Sequence, residues 1–340
     1  MHLLKRFSKS ISHSLSVLAV AGLSVSVQAD ENYANHALMG PYIDTLVQEH
    51  QFDRAQLETW FTAAEKKQSI LDAISRPAEK SKEWKDYRKI FVTDSRAEKG
   101  VKFWQKHSEA LMRAEKTYGV PAEVIVAIIG VETRYGTYTG NYRVIDALST
   151  LAFDYPKRSP FFTKELTHFL LLTRDQKRDP LSLKGSYAGA MGYGQFMPSS
   201  YRAYAVDFDG DEKVDIWENP TDAIGSVANY FKRHGWKSDE AVISRARIEK
   251  DYDKSALKSP LKPKFTVAEL ASKGISAVDE HAASAAANAF KLEGARGAEF
   301  WMGLQNFYVI TRYNHSRMYA LSVHQLSQNI RKLYDAKIGA

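Results

Sequence analysis

Apolar residues recur at three- and four-residue spacings among Lys and Glu over Tyr42 to Ala63 and again over Glu98 to Tyr118, which predicts amphipathic helices. From Pro121 the pattern changes. Val124-Ile125-Val126-Ala127-Ile128-Ile129 is apolar on every side, so a helix here should lie inside the protein, with Pro121 suited to its first turn. Beyond Trp236 a charged stretch leads to Lys258-Ser259-Pro260-Leu261-Lys262-Pro263-Lys264, whose prolines and lysines read as a boundary. Residues from about 265 to 300 are Ala-rich and weakly patterned, Phe307-Tyr308-Val309-Ile310-Thr311 has the texture of a strand, and a helix is predicted over Met318 to Tyr334. No internal repeat stands out. The expected organisation is an N-terminal helical part over 30–110, a core over 111–245, a small inserted subdomain over 246–298 and a return to the core over 299–340, in a mainly α (α+β) fold class.

The first 29 residues read differently. A basic start (Lys5, Arg6, Lys9), an apolar stretch from Leu15 to Leu23 and the ending Val27-Gln28-Ala29 have the form of a secretory signal cleaved before Asp30. The stretch is too short and too interrupted by Ser for a membrane anchor, which needs about 20 apolar residues. Removing it takes away three positive charges, so the formal net charge of +7 falls to +4. A mildly basic protein is compatible with a polyanionic or wall-like partner. No cysteine is present, which excludes a disulfide framework, a thiolate metal site, a Cys nucleophile and a lipidated N-terminal Cys. The expectation is an exported protein without a stable membrane anchor, periplasmic in a cell with two membranes, not directed at nucleic acid, and monomeric.

Chemistry concentrates between Glu132 and Trp236. In AIIGVETRYG, residues 127–136, a carboxylate ends the apolar run. Burial there either demands a partner, with Arg134 and Arg143 as candidates, or raises the carboxyl toward the pKa of a general acid. Gly130 and Gly136 are expected to leave room for a ligand beside it. The stretch GSYAGAMGYGQFMPSSY, residues 185–201, interleaves glycines with Tyr, Met, Gln and Phe, a mixture suited to the apolar faces and hydroxyls of a sugar, or to a plain glycine-rich turn. In DFDGDEKVDIWE, residues 207–218, Asp207, Asp209 and Asp211 occupy positions 1, 3 and 5 of an EF-hand-like loop, Val214 position 8 and Glu218 position 12, a spacing that favours calcium. Glu212 stands where that loop wants Gly, at a cost of about 1 kcal/mol.

The pairing of GVETRYG with GAMGYGQFMPSSY, followed by DFDGDEKVDIW, NPTDAIGSVANYFKRHGW and ITRYNHSRMYAL, resembles the lytic murein transglycosylase B family over about 84–236 and 310–321. The resemblance implies a lysozyme-like helical core with an N-terminal α-domain and a small β-containing subdomain where 246–298 lies. It implies cleavage of the β-1,4 bond between N-acetylmuramic acid and N-acetylglucosamine in peptidoglycan without water, leaving a 1,6-anhydro product. Glu132 matches the single catalytic Glu. Gln195 and Phe196 match the saccharide-contacting pair, with Ser186 and Met191 in the same wall. Tyr87 and Arg158 match groups lining glycan and peptide subsites, Tyr230 a tyrosine near the Glu, and Tyr313, Asn314 and Tyr319 complete the cleft. The family's metal loop closes later than an EF-hand, so Asp222, with the Lys213 carbonyl, is favoured over Glu218 as closing ligand of a structural calcium. No organic cofactor is implied; the partners are glycan strands, and proteins of wall synthesis or division are compatible. Two other readings stay open here: a lysozyme-type hydrolase with a second carboxylate, for which Asp146 and Asp154 are possible partners by proximity in sequence, and a noncatalytic wall-binding protein.

Overall fold

The computed structural model describes residues 32–75 and 82–338; the signal-like segment 1–29 lies outside the described residues. The N-terminal part is helical: α1 (Met39–His50), α2 (Arg54–Ala63), α3 (Gln68–Ser75), α4 (Trp84–Phe91), α5 (Asp94–Lys106) and α6 (Ser108–Tyr118). The stretch from Tyr42 to Ala63 is divided where Gln51 turns left-handed and the Asp53 side chain accepts from Gln56 N–H to start α2. The central helix α7 (Ala122–Thr133) follows Pro121, and Ile125 to Ile129 have no exposed surface. It packs against α5, α6, α11 (Pro220–Arg233) and α14 (Arg317–Ile338), which is why it carries no polar face. Around it lie α8 (Val144–Asp154), α9 (Ser159–Asp175) and α10 (Pro198–Tyr204), and a two-residue antiparallel ladder joins β1 (Tyr142–Arg143) to β2 (Lys184–Gly185).

The weakly patterned region forms most of an antiparallel sheet of order β4-β6-β7-β3-β5, from β3 (Ile243–Ile248), β4 (Phe265–Thr266), β5 (Ile275–Ala277), β6 (Ala286–Gly294) and β7 (Gly297–Leu304). It therefore begins before 246 and continues past 298. Its own small core contains Ala287, Ala289, Leu270 from α12 (Val267–Ala271), Ile275 and Met302. Small alanines at the centre of a strand give little hydrophobic contrast, so alternation was faint. Phe307 to Thr311 is a helix, not a strand: α13 (Gln305–Tyr313) buries Phe307, Val309, Ile310 and Thr311. A short apolar run buried on most sides has no period by which strand and helix can be told apart.

The closing helix α14 carries a partly buried titratable group. Burial pushes the His324 imidazole down from 6.5 to about 4. A folded-state value below the unfolded one means that stability is fully present above pH 6.5 and is lost as pH falls toward 4, by up to about 3 kcal/mol. Urea unfolding of the wild type and of His324→Gln at pH 7.5 and 4.5 should show the wild type losing more stability on acidification than the variant; equal losses would refute the assignment.

Candidate active site and metal loop

Glu132 sits in the last turn of α7, half-buried. Directly after it the chain reverses through three left-handed residues, Arg134, Tyr135 and Gly136, with φ of 49°, 62° and 83°. Thr133 ties this end down: its hydroxyl donates to Tyr193 O at 2.9 Å and accepts from Gly136 N–H at 3.0 Å. The Tyr319 hydroxyl, brought by α14, donates to Glu132 Oε1 at 2.5 Å. Burial first, then the charge of Glu132, raises the phenols of both Tyr319 and Tyr313, so both stay neutral donors. Arg143 is committed elsewhere, to Asp146 at 2.7 Å and Glu65 at 3.3 Å, and the Arg134 guanidinium lies over the Tyr138 ring.

The glycines beside Glu132 do not leave ligand space. A Cβ on Gly130 would stand 2.5 Å from Tyr135 Oη, and one on Gly136 would stand 2.2 Å from the Tyr193 ring. Those volumes are filled by aromatic side chains of the protein itself. The glycine-rich stretch folds back on itself, with Met191 and Phe196 exchanging backbone hydrogen bonds of 2.9 Å, and Tyr313 Oη donating to Gly194 O at 2.6 Å. Gln195 is held left-handed, at φ 51°, and its amide nitrogen donates to Thr139 O and Gly192 O, both at 3.0 Å. Ser186 Oγ accepts from Ala188 N–H and Ala190 N–H.

Four expected contact residues lie behind the surface, among them Tyr319, which is 2% exposed and is not part of the cleft lining. Tyr87 has no exposed area, because α4 turns Trp84 and Tyr87 inward together; Tyr87 packs on Phe91 and bears electrostatically on Tyr319. Met191 is fully buried and Phe196 nearly so, within the folded-back stretch rather than on its face. Arg158, Tyr230, Tyr313 and Asn314, by contrast, are brought together on one cleft of about 950 Å³. Glu132 is not among the residues lining it; Tyr313, close enough to feel the Glu132 charge, connects the two. Tyr230 donates to Arg312 O at 2.6 Å and stacks on His234. The sequence reading missed Phe161, Phe162, His168, His234 and Arg312 in this cleft. The first two were legible next to Arg158, whose guanidinium lies over both rings.

The carboxylates weighed as a second catalytic group, and the one in the cleft, are otherwise engaged. Asp146 is buried against Arg143 and accepts from Glu65 N–H at 2.9 Å, and Asp154 pairs with Lys66 at 2.7 Å and accepts from Tyr33 Oη at 2.8 Å. Glu165 lines the cleft, but its two oxygens accept from the backbone N–H and the hydroxyl of Ser199, in the first turn of α10.

In the acidic loop, ligand oxygens of Asp207, Asp209 and Asp211 lie within 4.8 Å of one another. Oxygens around one calcium at about 2.4 Å can be no farther apart than that, so the donor set fits a single ion. The loop is pre-shaped by its own carboxylates: Asp207 accepts from Gly210 N–H at 2.7 Å and Glu212 N–H at 2.8 Å, and Asp211 from Lys213 N–H at 2.9 Å. Glu212 does adopt the left-handed backbone that a glycine would take more easily, at φ 68°. Asp222 is fully buried and binds Phe208 N–H and Asp215 N–H at 2.7 and 2.8 Å. Burial, with the facing charges of Asp209 and Asp207, raises its carboxyl against those hydrogen bonds, the imbalance that a cation would relieve. Glu218 is exposed on the flank of the loop.

Comparison with known proteins shows which family the chain belongs to. The transglycosylase SLT domain family matches residues 36–328. The chain is 44% identical to the membrane-bound lytic murein transglycosylase B of Escherichia coli (strain K12), over 89% of this chain and 85% of that one. Among solved structures, the catenated lytic transglycosylase SltB1 from Pseudomonas aeruginosa is 54% identical with a TM-score of 0.86, over 89% of this chain and 100% of that one. The Escherichia coli lytic transglycosylase Slt35, solved in complex with calcium, is 45% identical with a TM-score of 0.81, over 89% of this chain and 95% of that one. With its helical core, its half-buried Glu132 under Tyr319 and its acidic loop, the chain belongs to the SLT-domain family of lytic murein transglycosylases, enzymes that cleave peptidoglycan.

Proposed function

We propose that Glu132 alone carries the acid and base steps of peptidoglycan cleavage. The protonated carboxyl gives its proton to the oxygen of the β-1,4 bond between N-acetylmuramic acid and N-acetylglucosamine, and the bond from that oxygen to the muramoyl C1 breaks. The muramoyl 6-hydroxyl then attacks C1, and its proton passes to the Glu132 carboxylate, which restores the acid and closes the 1,6-anhydro ring. No water is consumed. The observation that carries this reading is the Tyr319 hydroxyl on Glu132 Oε1. A neutral phenol there stabilises the carboxylate formed between the two steps, with no second carboxylate required. The engagement of Asp146, Asp154 and Glu165 in other bonds disfavours the two-carboxylate hydrolase.

Arg158, Tyr230, Tyr313 and Asn314 then bind the substrate in the adjoining cleft, with Ser186 and Gln195 contributing the glycine-rich wall. Asp207, Asp209 and Asp211 would hold a calcium ion, with the Lys213 carbonyl and Asp222, which lies outside that 4.8 Å cluster and accepts from Phe208 N–H and Asp215 N–H, as the further ligands that the resemblance implies, and the ion would supply no proton transfer. Among the described residues no helix is long and apolar enough to cross a membrane. The signal-like start supports action on glycan strands in the periplasm. Mass spectrometry of digested sacculi tests the reaction: anhydro-muramoyl ends are expected, whereas reducing ends would indicate hydrolysis and an intact sacculus mere binding.

A further inference from the structure

Arg96, the third residue of α5, is an unusual charge to find inside the protein. Its side chain and backbone together are only 7% exposed. The guanidinium donates to Gly130 O at 2.8 Å, to Val131 O at 3.5 Å and to Ile90 O at 3.1 Å, and packs near the Phe91 ring. Every one of these acceptors is a backbone carbonyl, so the charge is held by dipoles. A buried guanidinium held this way is costly unless its position does something.

Two of the three carbonyls belong to the residues directly before Glu132. They are last-turn carbonyls of α7, the negative end of the helix dipole, where a cation is favourable. The arrangement is closed from the other side as well. Tyr135, three residues after Glu132, donates its hydroxyl back to Arg96 O at 2.8 Å. The ring reaches that point only because Gly100 and Gly130 lack side chains; a Cβ on either would come within 2.6 or 2.5 Å of the Tyr135 hydroxyl. Arg96 thus grips the chain before Glu132, and Tyr135 anchors the left-handed turn after it onto the same residue.

We propose that Arg96 is a positioning residue for Glu132, with Tyr135 as its counterpart, and that this clamp keeps the carboxyl aimed at the glycosidic oxygen through the reaction. The inference rests on Glu132 being the acid. Because Arg96 acts on the end of α7 and not on the cleft that binds glycan, its loss affects turnover more than substrate binding.

The test is steady-state cleavage of soluble, peptide-bearing glycan strands by Arg96→Gln, Arg96→Lys and Tyr135→Phe, with Glu132→Gln as control and melting curves for each. The expected result for Arg96→Gln, measured well below its melting temperature, is a kcat at least tenfold lower with KM within threefold of wild type, and partial recovery of kcat in Arg96→Lys. Should Arg96→Gln fail to fold, Tyr135→Phe keeps the guanidinium and removes only the anchor; a kcat several-fold lower at unchanged KM is expected. An unchanged kcat in the folded variants, or an effect confined to KM or to melting temperature, would overturn the proposal and leave Arg96 as a helix cap. If Glu132→Gln itself remains active, the reading of Glu132 fails first; if it is inactive while the Arg96 and Tyr135 variants turn over normally, only the clamp fails.

Discussion

Glu132→Gln is expected to lower turnover by about 10²–10⁴-fold while leaving the fold intact. The reason is that one atom changes role and nothing else moves. The amide has the shape of the carboxyl, and its oxygen can still accept from the Tyr319 hydroxyl that now lies 2.5 Å from Glu132 Oε1. It carries no proton acidic enough for the glycosidic oxygen and is too weak a base to take one from the 6-hydroxyl, so both half-steps fail together. Anhydro products counted by mass spectrometry, alongside a melting curve, check this. Wild-type turnover in a folded variant would remove Glu132 from the chemistry; a lowered melting temperature would show that the residue was also structural.

The second large effect concerns calcium. Ion saturating the acidic loop at 100 times its dissociation constant should stabilise the protein by about 3 kcal/mol, because only the folded chain brings the carboxylates together. For a chain of this size that corresponds to a rise of about 5 °C in melting temperature. Three aspartates with ligand oxygens within 4.8 Å of one another repel in the absence of a cation, and buried Asp222 feels two of them. Magnesium should do less, since it demands a tighter octahedral set. The paired substitution Asp207→Asn and Asp209→Asn should abolish the calcium-dependent shift. A melting curve indifferent to calcium and chelator would mean that the loop is an acidic turn whose carboxylates serve only its own backbone.

How far the residues announced these features varies with the distance over which each is assembled. The acidic loop was readable because Asp207, Asp209 and Asp211 are local, and the misfit at Glu212 was readable too, since a left-handed position disfavours any side chain with a Cβ. The placement of Glu132 at the end of an apolar helix was equally plain. What the glycines beside it do was misread: they admit Tyr135 and Tyr193, and no residue-by-residue reading can tell space for a ligand from space for another side chain. Family resemblance named Tyr87, Met191, Phe196 and Tyr319 as cleft residues, but inward-facing packing withdraws them from the surface.

By itself, then, the sequence determined the internal helix with a carboxylate at its end, the acidic loop and the helical character of most of the chain, because each follows from side chains within a few positions of one another. Only the tertiary structure decided that Tyr319, 187 residues away, meets Glu132, that Tyr313 pins Gly194 across 119 residues, and that Arg96 and Tyr135 close around the same helix end. It also decided that the apolar run from Phe307 to Thr311 is helical and that small alanines form the core of the sheet. Those outcomes depend on what packs against each residue, and chain spacing carries no record of contacts closed over 34 to 187 residues.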